Sequence, residues 1–228
     1  MPEPGAGVCR ICRGPASGGR SVCFACGLVA RRLGLPLAPV VPARLCPLPS
    51  PLYTVLLGYK ESPVAEARLR FGAIVRTLLH ALLLGHVQLE ATVGGPIDLV
   101  TLVPSTHRPG RAPLGLVAGV GGDVASVLPA ARWAPDLLRR AALSEGPPPV
   151  AHMRPDPAAF TVPAPDRAGV ARARVLLLDD TYVSGSRSQS AAAALQLAGA
   201  RTVIAPLGRV LRPERVALHA DFLGRHAA

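Results

Sequence analysis

Along this chain, short apolar runs alternate with polar turns, and the clearest apolar run lies near its end. Val175–Leu178 is apolar at every position, which predicts a strand buried on both faces, as in a parallel sheet. The residues after it predict a helix from about Arg187 to Leu197 and a second strand over 202–207. Because parallel strands need a crossover between them, we expect a βαβ unit in an α/β fold, a mostly parallel sheet flanked by helices.

Weaker patterns predict the remaining elements. A strand is expected over 98–103, before Pro104. Ser62 suits the cap of a helix that has Pro63 at its first position and runs to about Leu84. We also expect a helix over 114–128 broken at Gly121-Gly122, loops over 146–149 and 155–165, and a closing helix over 213–223.

Four cysteines set the N-terminal segment apart. Cys9, Cys12, Cys23 and Cys26 follow a C-x2-C-x10-C-x2-C pattern. Two close pairs at this separation suit a tetrahedral zinc site, which would be structural because all four positions are filled. Two disulfides are the alternative, and they require an oxidising compartment. Cys46 stands outside the pattern.

These patterns divide the chain into three parts. Residues 1–33 are expected to form a zinc ribbon with a short exit helix. Residues 34–51 contain six prolines, too many for a regular element, and are interpreted as a linker. Residues 52–228 then form the α/β domain.

Candidate chemistry gathers at the carboxyl end of the predicted strand 174–178. Asp179 and Asp180 stand there, followed by the loop Ser184-Gly185-Ser186. Ligands of open α/β sheets bind at this edge. Loop amides and a helix N-terminus favour a phosphate, while adjacent carboxylates favour hydroxyls or a hydrated cation, and a phosphorylated sugar has both needs. The alternative is an ordinary strand–turn–helix in which Asp and Ser act as helix caps.

This segment resembles the fingerprint of PRPP-binding phosphoribosyltransferases: an apolar strand, two acidic residues, two apolar residues and a Thr/Ser-Gly phosphate loop. The resemblance implies that Asp179 and Asp180, the candidate catalytic residues, hold the ribose hydroxyls. Val183 stands where the family usually has a hydroxyl residue, and Arg187 where it often has Thr; an arginine can pair with phosphate at two points. The residues implied to hold the 5-phosphate are Ser184, Gly185, Ser186, Arg187 and Ser188.

A four-cysteine ribbon before such a domain resembles the layout of the ComF family, which includes competence-associated proteins of DNA uptake and GntX-like members. Pro51–Glu61 is similar to a family segment in which a lysine, here Lys60, follows a short apolar helix. Val103-Pro104 is similar to the end of the strand before the family's pyrophosphate loop. The resemblance implies pyrophosphate contacts from Arg108 or Arg111, with Lys60 a further candidate, and a Mg²⁺ shared by pyrophosphate and ribose oxygens.

The segments expected around a second substrate differ from the family. His107–Arg111 stands where members carry Arg-Gly-Phe-Asn-Gln, and Gly146–Pro149 lies near the expected Thr-x-x-Gln. Arg154–Phe160 is closer to its family counterpart, Arg-x-x-Asn-x-x-Phe. Two interpretations follow: a phosphoribosyltransferase with an unknown acceptor, or a protein that binds PRPP without turnover.

Charge adds a second class of function. The chain carries 25 basic and 14 acidic residues, a net charge of +11, which suits phosphate-bearing partners, although an arginine-rich composition equally reflects a GC-rich genome. The alternative is a non-catalytic accessory of DNA uptake that contacts single-stranded DNA or competence proteins. Aromatic residues are only 4% of the chain, which disfavours a base-stacking platform. Residues 1–7 lack a secretory signal and Phe71–Leu84 is shorter than a span of about 20 residues, so we expect a cytoplasmic protein without membrane insertion.

Overall fold

A five-stranded parallel sheet forms the centre of the structure, a computed structural model that describes residues 2–105, 113–141, 154–214 and 216–226. The strands are β1 Arg44–Pro47, β2 Leu99–Leu102, β3 Arg132–Trp133, β4 Arg139–Arg140, β5 Phe160–Thr161, β6 Arg174–Tyr182 and β7 Arg201–Leu211. The sheet has the order β1-β7-β6-β2-β3, and every neighbouring pair is parallel. β4 and β5 form a separate antiparallel pair.

Helices cover both faces of this sheet. They are α1 Phe24–Leu33, α2 Pro51–Glu61, α3 Ala65–Leu84, α4 His86–Val93, α5 Val120–Val127, α6 Ala164–Val170, α7 Ser186–Leu197 and α8 Ala217–His226. Helices α2 to α5 pack on one face, and α7 packs on the other together with the cysteine segment. Helix α1 lies outside α7, where Val29 and Leu33 contact Ala193.

The alternation of side chains along β6 explains why both faces are apolar. Leu176 and Leu178 pack among α2 to α5, whereas Val175 and Leu177 pack with α7 and the cysteine segment. All four side chains are fully buried. A run without polar positions is what a strand between two helical layers requires, so the predicted α/β fold with a flanked parallel sheet is confirmed.

The predicted crossover is present as β6, α7 and β7. β6 is longer than the predicted strand 174–178, because β7 also continues and pairs Thr181 with Gly208 and Tyr182 with Arg209. Asp179 and Asp180 therefore lie inside β6 and not beyond its end.

The prediction that the Pro-rich stretch 34–51 holds no regular element is wrong. It contains β1, which pairs in parallel with β7 at the edge of the sheet. The one proline within β1 is Pro47, the last residue of this edge strand, a position where a missing N–H is tolerated. The division of the chain at residues 33 and 51 stays a prediction.

The helix expected from Ser62 begins later, at Ala65. Ser62 instead ends α2, and its backbone N–H donates to the carbonyl oxygen of Gly58 at 3.1 Å. Its side-chain oxygen accepts from the N–H of Val64 at 3.3 Å, which shapes the turn between the two helices.

Two further predictions need correction. The expected break at Gly121-Gly122 lies instead at Gly119, which has a φ of 86° before α5, and α5 runs through both glycines. The stretch 155–165, expected as loop, contains β5 and the start of α6. The closing helix is present as α8, whereas the segment 146–149 lies outside the described residues.

Among the described helices, none alone is long and apolar enough to cross a membrane. Helices α3 and α4 reach that length and composition only as a pair, and they are bent by 59° at their junction. Leu79 and Leu83 of α3 are fully buried against the sheet.

Candidate functional site

The two acidic residues lie where β6 extends beyond the end of the neighbouring strand β2. Pairing between β2 and β6 ends at Leu102 and Leu178, whereas β6 continues beside β7 to Tyr182. Asp179 and Asp180 are the next two residues of β6 after this pairing ends, so they lie at the carboxyl edge of β2. Both are almost completely buried, at 2% and 1% exposure, so their charges must be matched within the protein.

Asp180 is paired from α2. The ammonium group of Lys60 forms a short ion pair with Oδ2 of Asp180, and the phenol of Tyr59 donates to the same oxygen at 2.9 Å. The hydroxyl of Thr181 donates to Oδ1 at 3.1 Å. A helix far away in sequence therefore supplies the main partners of this carboxylate.

Asp179 is paired from α7. The hydroxyl of Ser188 donates to its Oδ2 at 2.6 Å, and Nη2 of Arg187 donates to its Oδ1 at 3.0 Å. The same Nη2 lies 3.4 Å from Oδ1 of Asp180, so Arg187 bridges the two carboxylates. Two acids and two cations, Arg187 and Lys60, thus form one buried cluster of balanced charge, which we call the acid–base cluster.

The carboxylates of this cluster differ in pKa. Burial, with the charge of Asp180, raises the pKa of Asp179 to about 6 in spite of Arg187. Burial acts in the same direction on Asp180, but Lys60 and Arg187 together outweigh it and lower the pKa of Asp180. Adjacent acids that share cations commonly separate in this way.

The loop after β6 is shaped by a close contact. Gly185 has a φ of 84° and precedes the first residue of α7, Ser186. A Cβ at Gly185 would overlap the phenol oxygen of Tyr182, so this position requires glycine for both conformation and space. The hydroxyl oxygens of Ser184 and Ser186 lie 3.1 Å apart across the loop.

The structure brings most of the predicted site residues together. Lys60, expected as a weaker pyrophosphate candidate, contacts Asp180 instead. Arg187 and Ser188, expected at the 5-phosphate, contact the acids. Arg108 and Arg111 lie outside the described residues. The proposed substrate roles of all these residues stay predictions.

Tyr59 is a site residue that sequence reasoning missed. Its ring is buried in the core under the sheet while its hydroxyl reaches Asp180. Burial and the carboxylate raise its pKa far above the usual value, so it acts as a donor. Its position next to Lys60 was the signal present in the sequence. The hydrophobic pattern, however, did not show that α2 lies beside the acidic residues of β6.

A cleft of about 580 Å³ opens beside the acid–base cluster. Tyr59 and Lys60 form one wall, and α3 and the turn before α5 form the others. Arg68 and Arg76 also line it; Arg76 is held by Asp123 through bonds of 2.7 and 3.1 Å. The cleft combines cationic groups with apolar side chains, which are Leu69, Leu116 and Val117.

The four cysteines of the N-terminal pattern form a buried cluster. Their sulfur atoms all lie within 4.8 Å of one another, and Cys12 and Cys23 are 3.7 Å apart. Tetrahedral zinc with Zn–S bonds of about 2.3 Å requires sulfurs roughly 3.8 Å apart. None of these cysteines, all within the described residues, forms a disulfide. The arrangement fits a bound metal ion.

The four thiols titrate as one coupled group, because the hydrogen bonds among them tie the pKa of each thiol to the charge of the others. A group of four sulfurs cannot all ionise together without a cation. Such a cation would favour the thiolate form of every ligand.

Comparison with known proteins shows similarity to solved structures alone. No protein-family model and no curated protein matches this sequence. Among solved structures, the chain is similar to one described as the allosteric regulatory enzyme of purine biosynthesis, with 18% sequence identity and a TM-score of 0.35. The match covers 60% of this chain and spans a quarter, 25%, of the other. A similarity of this extent defines no activity for this chain.

Proposed function

We propose that this protein binds PRPP, or another phosphorylated ribose, as a phosphoribosyltransferase-like protein of the ComF type. The observation that carries the proposal is the order of groups along one edge of the sheet. Two buried carboxylates, a Ser-Gly-Ser loop and the N-terminus of a twelve-residue helix follow one another there, at the carboxyl edge of the neighbouring strand β2. This arrangement offers acceptors for ribose hydroxyls next to donors for a phosphate.

Arg187 has an unused donor that supports a phosphate role. Its Nε is buried and has no hydrogen-bond partner among the described residues. We infer that the guanidinium turns from the acid–base cluster toward the 5-phosphate at Ser184–Ser186 when ligand binds. A ribose hydroxyl would then take its place at Asp179, while Lys60 keeps the charge of Asp180 matched.

The two carboxylates of the acid–base cluster are already engaged by groups of the protein. Within the described residues, the cysteine cluster is the only group of three or more His, Cys, Asp or Glu side chains close enough to share an ion. The carboxylate oxygens already accept from Arg187, Lys60, Tyr59 and Ser188. In the proposal Mg²⁺ therefore arrives with the pyrophosphate of PRPP, and Arg108 or Arg111 contacts that pyrophosphate.

A transferase reaction would use the cleft beside Lys60 for the acceptor. Its nucleophilic atom would bond to the anomeric carbon of the ribose as the bond to the pyrophosphate oxygen breaks, and the acceptor would then lose a proton to water or to the released pyrophosphate. Such a reaction needs no covalent nucleophile from the protein. It needs donors that stabilise the departing pyrophosphate, the role that the proposal gives to Arg108 or Arg111.

For the cysteine cluster we propose structural zinc. The sulfur spacing fits Zn²⁺, and four protein ligands leave no open position for chemistry. Zinc-bound cysteines suit the cytoplasm, where thiols are kept reduced, and a cytoplasmic location is part of the proposal.

The test of ligand binding is a thermal shift and a titration with PRPP and Mg²⁺. Wild-type protein should be stabilised by about 2.7 kcal/mol at a ligand concentration 100 times Kd. Asp179→Asn together with Asp180→Asn should abolish this shift relative to the variant's own baseline. Asp98→Asn is the matched control, because Asp98 pairs with Arg174 at the opposite end of β6, 2.8 Å away. Absence of a shift in the wild type would remove the proposal.

A second candidate is favoured by one exposed aromatic residue. Phe24, directly after Cys23, is 71% exposed, and Arg10, Arg20 and Arg31 of the same N-terminal segment are exposed too. An aromatic ring among arginines can stack a base and contact phosphates of single-stranded DNA. We therefore keep the accessory of DNA uptake, or a partner of competence proteins, as the alternative function.

Fluorescence anisotropy with a labelled oligonucleotide tests this alternative. Binding should weaken steeply as salt rises, because phosphate contacts release counterions. Phe24→Ala should weaken it by about 1–3 kcal/mol, the contribution of one stacked base. Val87→Ala, which removes another exposed apolar side chain at 69% exposure, is the control and should have no effect. Salt-independent binding would exclude this function.

A further inference from the structure

Arg209 is a buried cation that neither the sequence pattern nor the proposed chemistry explains. It lies on the interior strand β7, next to Tyr182 of β6, and is only 4% exposed. Its partners in the described part of the chain are three backbone carbonyls and one sulfur atom, with no carboxylate among them. A buried guanidinium needs a negative partner, and a metal-bound thiolate at Cys12, whose sulfur Arg209 contacts, would supply that charge.

One side of Arg209 faces the cysteine cluster. Nη2 lies 3.6 Å from the sulfur of Cys12, within hydrogen-bond reach of a thiolate. Gly14 makes room for it, because a Cβ there would lie 3.0 Å from the same nitrogen. Four thiolates around Zn²⁺ carry a net charge of −2, so a positive group against one sulfur stabilises the loaded site.

The other side of Arg209 holds the loop after β6. Nη1 donates to the carbonyl oxygens of Tyr182 at 3.1 Å and Val183 at 2.7 Å, and to that of Val210 at 2.8 Å. The guanidinium also stacks on the ring of Tyr182, 5.3 Å from its centroid. The hydroxyl of this tyrosine lies under Gly185, so Arg209 fixes the approach of the chain to Ser184–Ser186 from two directions.

We propose that Arg209 couples metal occupancy of the cysteine cluster to the position of the loop that holds the phosphorylated ligand. When the metal is bound, the Cys12 thiolate orients the guanidinium, and the guanidinium fixes the carbonyls of Tyr182 and Val183. Metal and ligand then strengthen each other's binding by the same factor, as thermodynamic linkage requires. This inference rests on the proposed function, and Arg209 is in it a positioning residue that does not touch substrate.

Lysine and methionine at position 209 separate charge from geometry. Arg209→Lys keeps the positive charge but has a single nitrogen in place of the fork in which Nη1 contacts the carbonyls and Nη2 contacts the sulfur. It should retain zinc while losing the coupling. Arg209→Met removes the charge and should weaken zinc binding itself. Arg201→Lys, an exposed position at the start of the same strand, is the matched control.

The experiment measures zinc affinity by competition with a chromogenic chelator, with and without PRPP and Mg²⁺. In the wild type and in Arg201→Lys, PRPP should raise the apparent zinc affinity by about tenfold, within the usual range of coupling between sites. In Arg209→Lys the factor should fall to near one. A wild-type protein that binds PRPP with zinc affinity unchanged overturns the inference.

Amide hydrogen exchange keeps the inference testable if PRPP does not bind and the proposed function fails. In zinc-loaded protein, the amides of Val183–Ser186 should exchange about tenfold faster in Arg209→Lys than in the wild type, because the loop has lost its two carbonyl anchors. Equal exchange in both proteins overturns the structural part of the inference. If Arg209→Lys exchanges faster but the wild type does not bind PRPP, the structural role of Arg209 stands and only the proposed ligand is excluded.

Discussion

At the scale of single residues, Asp179 and Asp180 show how the same side chain behaves differently one position apart. Asp179 has a pKa raised from 3.8 to about 6, chiefly by burial, with Asp180, Arg187 and Lys60 as its charged neighbours. The folded protein thus keeps a proton that the unfolded chain releases near pH 4. Stability from this group is complete below about pH 4 and is lost as the pH rises through about 6.

Asp179→Asn should remove this dependence while keeping a side-chain oxygen for Ser188. The unfolding free energy of the wild type should fall, relative to the variant, by on the order of 1–3 kcal/mol between about pH 4 and 7. Denaturant titrations across this range measure it. Asp98→Asn is the control: hydrogen bonding to Arg174 lowers the pKa of Asp98, so its contribution is lost only below about pH 4. An identical pH profile in wild type and Asp179→Asn would contradict the assignment.

Gly185 gives a second prediction at the residue scale. Gly185→Ala places a Cβ on the Tyr182 oxygen in addition to straining a φ of 84°, and should cost about 2–4 kcal/mol of unfolding free energy. Gly18→Ala meets a similar φ of 61° with nothing within 4 Å and should cost about 1 kcal/mol. Thermal unfolding of both variants measures the difference, and equal losses would show that the contact with Tyr182 is unimportant.

At the scale of elements, the packing of α2 on α3 decides where Lys60 and Tyr59 lie. Gly58 of α2 faces the ring of Phe71 on α3, and a Cβ at Gly58 would lie 2.5 Å from that ring. Gly58→Ala should therefore push the helices apart, cost about 1–3 kcal/mol and weaken PRPP binding by displacing Lys60.

Gly72→Ala is the matched control for this packing. Gly72 is also inside a helix but has open space around it, so alanine should stabilise the protein by about 0.5–1 kcal/mol. Adding Phe71→Ala to Gly58→Ala should restore part of the lost stability and binding. Calorimetry on the double-mutant cycle tests this, and a strictly additive result would mean that the two side chains do not interact.

Local sequence predicted the elements that depend on local pattern. The apolar run Val175–Leu178, α7 and β7 were predictable because a strand between two helical layers leaves no polar position. The partners of the acids were not predictable, because Lys60 reaches Asp180 across 120 residues of sequence. The strand β1 was missed for a related reason: an edge strand with a terminal proline carries no alternation that distinguishes it from a linker.

At the scale of the whole molecule, the cysteine segment and the sheet share one interior. The four cysteines are buried in the same cluster as Val40, Ile204 and Tyr182, and Arg209 links them to β6 and β7. A zinc ribbon that folded independently of the sheet would bury its metal site among its own residues. Here the metal site forms part of the packing behind the sheet, on the face covered by α7.

Zinc removal should therefore destabilise the entire protein. Metal-loaded protein should bind one zinc per chain and unfold in a single transition, and a chelator should lower that transition by at least about 10 °C, since a bound structural metal contributes several kcal/mol. Calorimetry with and without chelator, together with metal analysis, measures both effects. Cys26→Ser should lose the zinc and its response to chelator, while Cys46→Ser, which changes a buried cysteine outside the cluster, should keep both. A main transition that ignores the chelator would mean that the segment 1–33 folds apart from the sheet, and the coupling through Arg209 would then have no structural basis.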